Sequence, residues 1–181
     1  MKSMRVITGS ARGMSLRTLE GETTRPTSEK VKEAVFSAIQ FEIEGARVLD
    51  LFAGSGQLGI ESLSRGAKSA VFVDSDKNAV KIIQANIEKT GFGDKSEVFA
   101  KDYSAFLNMN VRKFDIVFLD PPYAAGFMEK ALDRVSDFVD DKGIVICEHS
   151  CRETLPDAAG ALAKYREYKY GKTAVTIYRK D

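Results

Sequence analysis

Histidine is almost missing from this 181-residue chain: His149 is the one instance, and the cysteines number two, Cys147 and Cys151. Residues 147–151, Cys-Glu-His-Ser-Cys, bring three potential metal ligands close together. Their spacing matches no closed zinc site. Cys147 also closes an apolar run, 143–147, where a cysteine serves as a small core residue. No metal is expected. Long apolar runs are missing too. None approaches the roughly 18 residues of a membrane span, and residues 1–8 lack the apolar stretch of a signal peptide. A cytoplasmic location is the expectation. A charge excess is absent as well: 27 basic side chains against 26 acidic ones leave +1, so the whole-molecule field says little about partners. No repeat and no low-complexity segment interrupts the chain.

What is present fits one globular domain with a sizeable core, 44% hydrophobic and 29% charged. The charge is unevenly placed. Residues 1–32 hold seven basic and three acidic side chains, a local +4 that leaves −3 for the remaining 149. Residues 4–19, with Gly9 and Gly13, alternate loosely and read as a small hairpin or arm. The division expected is a basic arm, 1–24, and a main domain, 25–181. Arg5, Arg12 and Arg17 are the arm's candidate phosphate contacts, with an ordinary solvated surface as the alternative.

Pro26 and Thr27 open a helix, with Thr27 a plausible N-cap and Glu29 in its first turn. Val31, Ala34, Val35, Ala38 and Ile39 predict its buried stripe. From residue 46 onward, apolar runs at 48–52, 70–73, 98–100, 116–119 and 144–147 read as strands. Between them, 58–63, 78–90, 103–109 and 127–139 read as helices. Val80, Ile83 and Ile87 mark one helical face, and Met128, Ala131, Leu132, Val135 and Val139 another. Such alternation predicts an α/β domain, a doubly wound, mostly parallel Rossmann-like sheet with helices on both sides. The runs 165–170 and 174–178 around Gly171 predict an antiparallel C-terminal hairpin at the sheet edge.

Open sheets of this kind bind ligands beyond the carboxyl ends of their strands, and two motifs fall there. Residues 50–56, Asp-Leu-Phe-Ala-Gly-Ser-Gly, end the first strand and open a helix. Gly54, Gly56 and Gly59 spell the dinucleotide fingerprint, which fits either NAD or S-adenosylmethionine. Asp50 separates the two. A carboxylate there repels a pyrophosphate and attracts the ammonium of a methionine moiety. Asp74, ending the second strand, suits ribose hydroxyls. Asp102 suits either an adenine amino group or a helix cap. The second motif, Asp120-Pro121-Pro122-Tyr123, follows the fourth strand. An exocyclic base amine is a poor nucleophile because its lone pair is delocalised into the ring. Asp120 and the Pro121 carbonyl can accept its N–H hydrogens and draw it toward sp³ geometry. Tyr123 offers a ring on which an extruded base can stack. Taken alone, Asp-Pro-Pro-Tyr could also be a rigid turn with a capping aspartate.

Residues 50–56 with Asp74 resemble the cofactor motif of Rossmann-like methyltransferases, and Asp120 to Tyr123 resembles the (D/N)-P-P-(Y/F) motif of amino-methyltransferases. Arg25-Pro26-Thr27, residues 31–36, Glu61, residues 63–67 and residues 170–173 extend the likeness over nearly the whole chain. As a set they resemble the RsmD family, bacterial 16S ribosomal RNA guanine-N2 methyltransferases. The resemblance implies S-adenosylmethionine as cofactor, held by Arg25, Thr27, Asp50, Phe52, Ala53, Gly54, Ser55, Gly56, Asp74, Ser75, Asp102 and Tyr103. It implies catalysis by Asp120, Pro121, Pro122 and Tyr123. It also implies RNA contact through Arg5, Arg12 and Arg17, and a monomer acting on an assembling small subunit. Gln57 departs from the small residue many relatives carry. Three other functions stay open. A DNA adenine-N6 or cytosine-N4 methyltransferase shares the amine motif, although 1–24 is little to read a DNA sequence with. A catalytically silent nucleic-acid binder would keep the fold. An NAD oxidoreductase would have no use for Asp120 to Tyr123.

Overall fold

The structure, a computed structural model, describes residues 4–19, 29–122 and 126–181. Two short strands come first, β1 (Met4–Arg5) and β2 (Ser15–Leu16). Then follow α1 (Glu29–Ala38), β3 (Arg47–Asp50), α2 (Gln57–Ser64), β4 (Ser69–Asp74), α3 (Lys77–Thr90) and β5 (Ser96–Ala100). The second half holds α4 (Tyr103–Met109), β6 (Phe114–Leu119), α5 (Phe127–Val135), β7 (Val139–Ser150), β8 (Ala158–Ala159), β9 (Leu162–Tyr170) and β10 (Thr173–Lys180).

The main sheet runs β5-β4-β3-β6-β7-β10-β9-β8. The first five are parallel, and β10, β9 and β8 are antiparallel. The chain moves outward from β3 to β5, then returns to lay β6 on the other side of β3. That reversal opens a crevice between β3 and β6 at the carboxyl ends. Side chains alternate across the sheet, which divides the core in two. Val48, Phe72, Ile116, Phe118 and Ile146 face α1, α2 and α3. Leu49, Val71, Val117, Leu119 and Val145 face α4 and α5. The C-terminal hairpin forms as expected, with β10 placed inside, against β7, and β9 beyond it.

Two expectations need correction. The last helix ends at Val135 rather than 139. A tight turn, Ser136–Phe138, follows, and Val139 already pairs with Phe114 as the first residue of β7. Ser136 donates its hydroxyl to the Asp133 carbonyl, which helps close that turn. Val139 is apolar and correctly spaced, so periodicity alone could not separate the last residue of a helix from the first of a strand. The buried stripe of α1 is also turned: Val31, Lys32, Val35 and Phe36 are inside, and Ala38 is exposed. Burial of the Phe36 ring outweighs that of a methyl group, and Lys32 follows it inward because a partner waits there.

That partner is Glu61, fully buried on α2. Its Oε2 lies 3.4 Å from Lys32 Nζ, and Arg65 Nε donates to its Oε1 at 3.0 Å. The backbone N–H groups of Ile7 and Thr8 donate to the same carboxylate at 2.8 and 3.0 Å. Lys32 also donates to the Arg5 carbonyl. The arm is therefore a fastened hairpin, with Met4, Val6, Ala11 and Leu16 inside the core shared with α1, α2 and α3. At its tip Gly9 passes so close to α2 that a Cβ would lie 1.7 Å from the Ser64 carbonyl oxygen. Removing one partner of a buried ion pair typically costs about 3–5 kcal/mol. Lys32→Met is expected to lower unfolding free energy by about 3 kcal/mol in urea titration; a loss below about 1 kcal/mol would show that Glu61 does not depend on the ammonium.

Candidate active site at the carboxyl ends of the strands

Each of four neighbouring parallel strands delivers a carboxylate at or just past its carboxyl end: Asp102 after β5, Asp74 on β4, Asp50 on β3 and Asp120 after β6. Neighbouring strands are about 4.8 Å apart, so the four form one row beside the crevice.

The turn between β3 and α2 is built by Gly54 and Gly56, with φ of 57° and 79°. Both are left-handed values that other residues adopt at a cost. Gly59 serves a different purpose. A Cβ there would lie 2.3 Å from the Phe72 ring, so its absence lets α2 approach β4. Asp50 Oδ2 accepts the Gly59 N–H at 3.1 Å and tethers the start of α2 to the end of β3. Asp74 accepts the Gly54 N–H through Oδ2 and the Asp76 N–H through Oδ1, both at 2.9 Å. The Asp74 carboxylate still has lone-pair capacity for a hydroxyl donor. Asp50 is 2% exposed. Burial, with Asp74 nearby, pushes its carboxyl up to about 7 against the lowering effect of the Gly59 N–H. Burial raises Asp74 as well, opposed by its backbone donors. A cation placed against Asp50 would favour its ionised form.

Three rings close one side of the crevice. Phe52 from the glycine turn, Tyr103 from the start of α4 and Phe127 from the start of α5 sit 5.2–5.6 Å apart in tilted and edge arrangements. All three are partly exposed and form an apolar wall suited to a planar group. Asp102 is solvent-exposed and caps α4 by accepting the Ser104 N–H at 2.9 Å. Of its two expected roles, the cap is therefore present. Asp120 is half-buried, Pro121 buried and Pro122 exposed. Ser55 is partly exposed and Ser75 exposed, while Ala53 is buried and donates to the Val73 carbonyl. Arg25, Thr27 and Tyr123 lie outside the described residues. Arg5, Arg12 and Arg17 are exposed on the fastened arm.

Sequence reasoning assigns no role here to Asn86 or Phe127 and marks Gln57 only as a departure. Asn86 on α3 is fully buried. Its amide donates to the Ser55 carbonyl at 2.9 Å and the Arg17 carbonyl at 3.0 Å, and its oxygen accepts the Arg17 N–H at 2.8 Å. One side chain thus joins the glycine turn to the basic arm. A polar residue beside Ile83 and Ile87 on an apolar stripe was the available signal. Gln57, the first residue of α2, holds a buried Oε1 without a hydrogen-bond partner among the described residues, an acceptor poised for a donor from outside. Phe127 had no local signature, because its role depends on two rings from distant parts of the chain.

Cys147 is buried, which pushes its thiol well above the ordinary range. His149 Nε2 bonds Thr176 Oγ1 at 2.8 Å and Nδ1 bonds the Ser150 carbonyl at 2.9 Å. Among the described residues no group of three or more potential metal ligands comes together, and no helix is long and apolar enough to cross a membrane.

A carboxyl raised by folding binds its proton more tightly in the folded than in the unfolded chain. Its effect is a loss of stability as pH rises from about 4 to about 7. Asp50→Asn, which keeps an acceptor for Gly59, is expected to remove that loss, roughly 4 kcal/mol at most. Denaturation of both proteins at pH 5 and pH 8 measures it; parallel pH dependence would mean that Asp50 ionises at its ordinary value.

A family model described as "Conserved hypothetical protein 95" matches residues 4–179. A Bacillus subtilis (strain 168) protein named "Putative rRNA methyltransferase YlbH" is 38% identical over 182 residues, covering 98% of this chain and 99% of that protein. The Escherichia coli (strain K12) "Ribosomal RNA small subunit methyltransferase D" is 29% identical over 180 residues, covering 98% of this chain and 90% of its own length. A solved Escherichia coli structure named "Putative methyltransferase yhhF" shares the fold with a TM-score of 0.89 at 30% identity, across 99% of this chain and 98% of that one. With a match running almost end to end, the chain belongs to the conserved hypothetical protein 95 family, the RsmD family that its motifs resemble.

Proposed function

We propose that this protein transfers a methyl group from S-adenosylmethionine to the exocyclic N2 amine of a guanine in 16S ribosomal RNA. The observation that carries the reading is the pairing of Asp120-Pro121-Pro122, just past β6, with the glycine turn of the adjacent β3. The names of the relatives, ribosomal RNA methyltransferases, support ribosomal RNA as the acceptor. They do not favour DNA as the acceptor.

The residues present fit the cofactor. Asp50 offers a carboxylate to the methionine ammonium, and the buried Gln57 Oε1 offers a further acceptor nearby in sequence. Asp74 retains lone pairs for the ribose hydroxyls, Ser55 and Ser75 flank it, and Phe52 and Tyr103 offer ring surface to the adenine. Arg25 and Thr27 are assigned to the methionine end by the family resemblance, and Asp102 to the adenine amino group. Bound there, S-adenosylmethionine supplies an electrophilic methyl group on its sulfonium sulfur.

The chain's own work is positioning and polarisation. Asp120 accepts one N–H of the guanine amine and the Pro121 carbonyl accepts the other, so the nitrogen lone pair is freed from the ring. The two proline rings restrict the backbone after Asp120 and so hold the Pro121 carbonyl in a fixed orientation. Tyr123 supplies a face for the extruded base, and extrusion of a stacked base costs a few kcal/mol. Holding the amine in line with the methyl group provides most of the acceleration. Arg5, Arg12 and Arg17 bind phosphates, on an arm that Asn86 ties to the glycine turn. The substrate is read as a partly assembled small subunit in the cytoplasm, with the protein acting as a monomer.

Small subunits lacking native modifications, incubated with labelled S-adenosylmethionine and digested to nucleosides, test the reading. Label in N2-methylguanosine is expected. Label in N6-methyladenine or N4-methylcytosine of DNA run alongside would move the activity to another acceptor. Asp120→Ala is expected to leave S-adenosylhomocysteine affinity within about twofold and reduce turnover by at least about a hundredfold; normal turnover would remove Asp120 from the mechanism. Neutralising Arg5, Arg12 and Arg17 together is expected to weaken RNA binding and flatten its salt dependence, and an unchanged slope would return the three to the solvated surface.

A further inference from the structure

Residues 164–170 of β9 read Lys-Tyr-Arg-Glu-Tyr-Lys-Tyr, a run of rings interleaved with cations. Tyr168 and Tyr170, two apart, share one face of the sheet. Their rings are nearly parallel, 19° apart with centroids 6.5 Å from each other. Both rest partly buried against the core shared by α1 and the arm. Tyr165 sits where the pairing of β9 with β10 slips by one residue, and it is 48% exposed. The guanidinium groups of Arg166 and Arg179 lie 5.1 and 4.2 Å from its ring centroid. Two cations are thereby gathered about the Tyr165 ring, next along the strand to the stacked tyrosines. Arg179 is paired with Glu42, and Arg166 also reaches the Tyr168 hydroxyl, at 3.5 Å.

Where this surface lies selects its partner. The registers align Leu119 with Cys147, Cys147 with Thr176 and Thr176 with Glu167. Tyr168 is therefore level with Asp120, three strands away, or about 14 Å at ordinary strand spacing. The Gly171–Lys172 turn is held to the end of β7 by the Cys151 N–H, which donates to the Lys172 carbonyl at 2.9 Å. The rings thus stand at the same end of the sheet as the proposed catalytic aspartate. Cations alone would suit any acidic partner. Cations beside parallel rings suit unpaired bases, which stack on aromatic faces while their phosphates meet basic side chains.

We propose that Tyr168, Tyr170 and Arg166 form a docking platform for the unpaired RNA that flanks the target guanine. The bases lie on the tyrosine rings and a phosphate meets Arg166. The platform rests on the ribosomal RNA reading above, and it gives the substrate a second foothold beyond the basic arm.

The test compares Tyr168→Ala, Tyr168→Phe and Arg166→Gln with the wild-type protein. Thermal melting and S-adenosylhomocysteine affinity establish that each is folded. Fluorescence anisotropy with a single-stranded RNA oligonucleotide of mixed sequence, and methyl transfer to unmodified small subunits, provide the readouts. Tyr168→Ala is expected to raise both the oligonucleotide Kd and the KM for subunits about tenfold, with kcat unchanged and Tyr168→Phe close to wild type. Arg166→Gln is expected to lower the salt slope of RNA binding by about one phosphate contact. Wild-type affinity and KM in a folded Tyr168→Ala protein overturn the platform while leaving the methyltransferase reading intact. Should that variant fail to fold, Arg166→Gln decides by itself: an unchanged affinity and salt slope overturn the platform. Absence of methyl transfer to ribosomal RNA by the wild-type protein overturns the functional reading and the platform with it.

Discussion

One buried carboxylate holds the N-terminal half of this protein together. Glu61 sits in the middle of α2 with no solvent exposure and receives donors from α1, from its own helix and from the arm. An ionised side chain in that position would cost several kcal/mol without such partners. With them it becomes a fixed point from which three elements take their positions. Arg65, which reaches the carboxylate from one turn further along α2, also lies 4.8 Å over the Phe36 ring and so covers α1 as well. α1, α2 and the arm are thus joined at one buried carboxylate.

The site is assembled from strand ends because the parallel sheet leaves no alternative. Every carboxyl end points the same way, so residues far apart in sequence arrive in one row. Several of the polar groups there have two duties. Asp50 and Asp74 brace the backbone of the turn and keep further lone pairs for a ligand. Such braces make the turn rigid before anything binds, which lowers the ordering cost on association. The raised carboxyl of Asp50 is the electrostatic counterpart: a group strained by burial that a cation would relieve. Asn86 extends the same economy outward, since its single amide satisfies both the turn and the arm.

Much of this was legible in the residues. Five parallel strands and the helices between them follow from apolar runs alternating with helical periodicity. Asp50, the glycines, Asp74 and Asp120 announce themselves by falling where those strands end. The stripe of α1 was misread because no local pattern says that Lys32 is buried; its partner is 29 positions away. The end of α5 was misread because Val139 satisfies a helical spacing and a strand pairing equally, and the pairing with Phe114 wins. Asn86 is visible as a polar intruder on an apolar face but not interpretable, since its partners Ser55 and Arg17 lie 31 and 69 positions away. Gln57 was noticed as a departure, and its importance as a buried acceptor is evident only once the turn has closed around it.

The sequence by itself determined the order of elements, the class of sheet and the chemistry of the strand-end motifs. These are local properties, set by periodicity over a few residues and by the conformational freedom of glycine and proline. Tertiary structure decided which charges are buried, which rings meet and how the hairpin is inserted. β10 lies between β7 and β9, and the registers across these strands bring Tyr168 of β9 level with Asp120. Phe52, Tyr103 and Phe127 form one wall although 75 residues separate the first from the last. Such outcomes depend on pairings between distant segments, whose energies arise from desolvation and close packing and leave no trace in the composition of either partner alone.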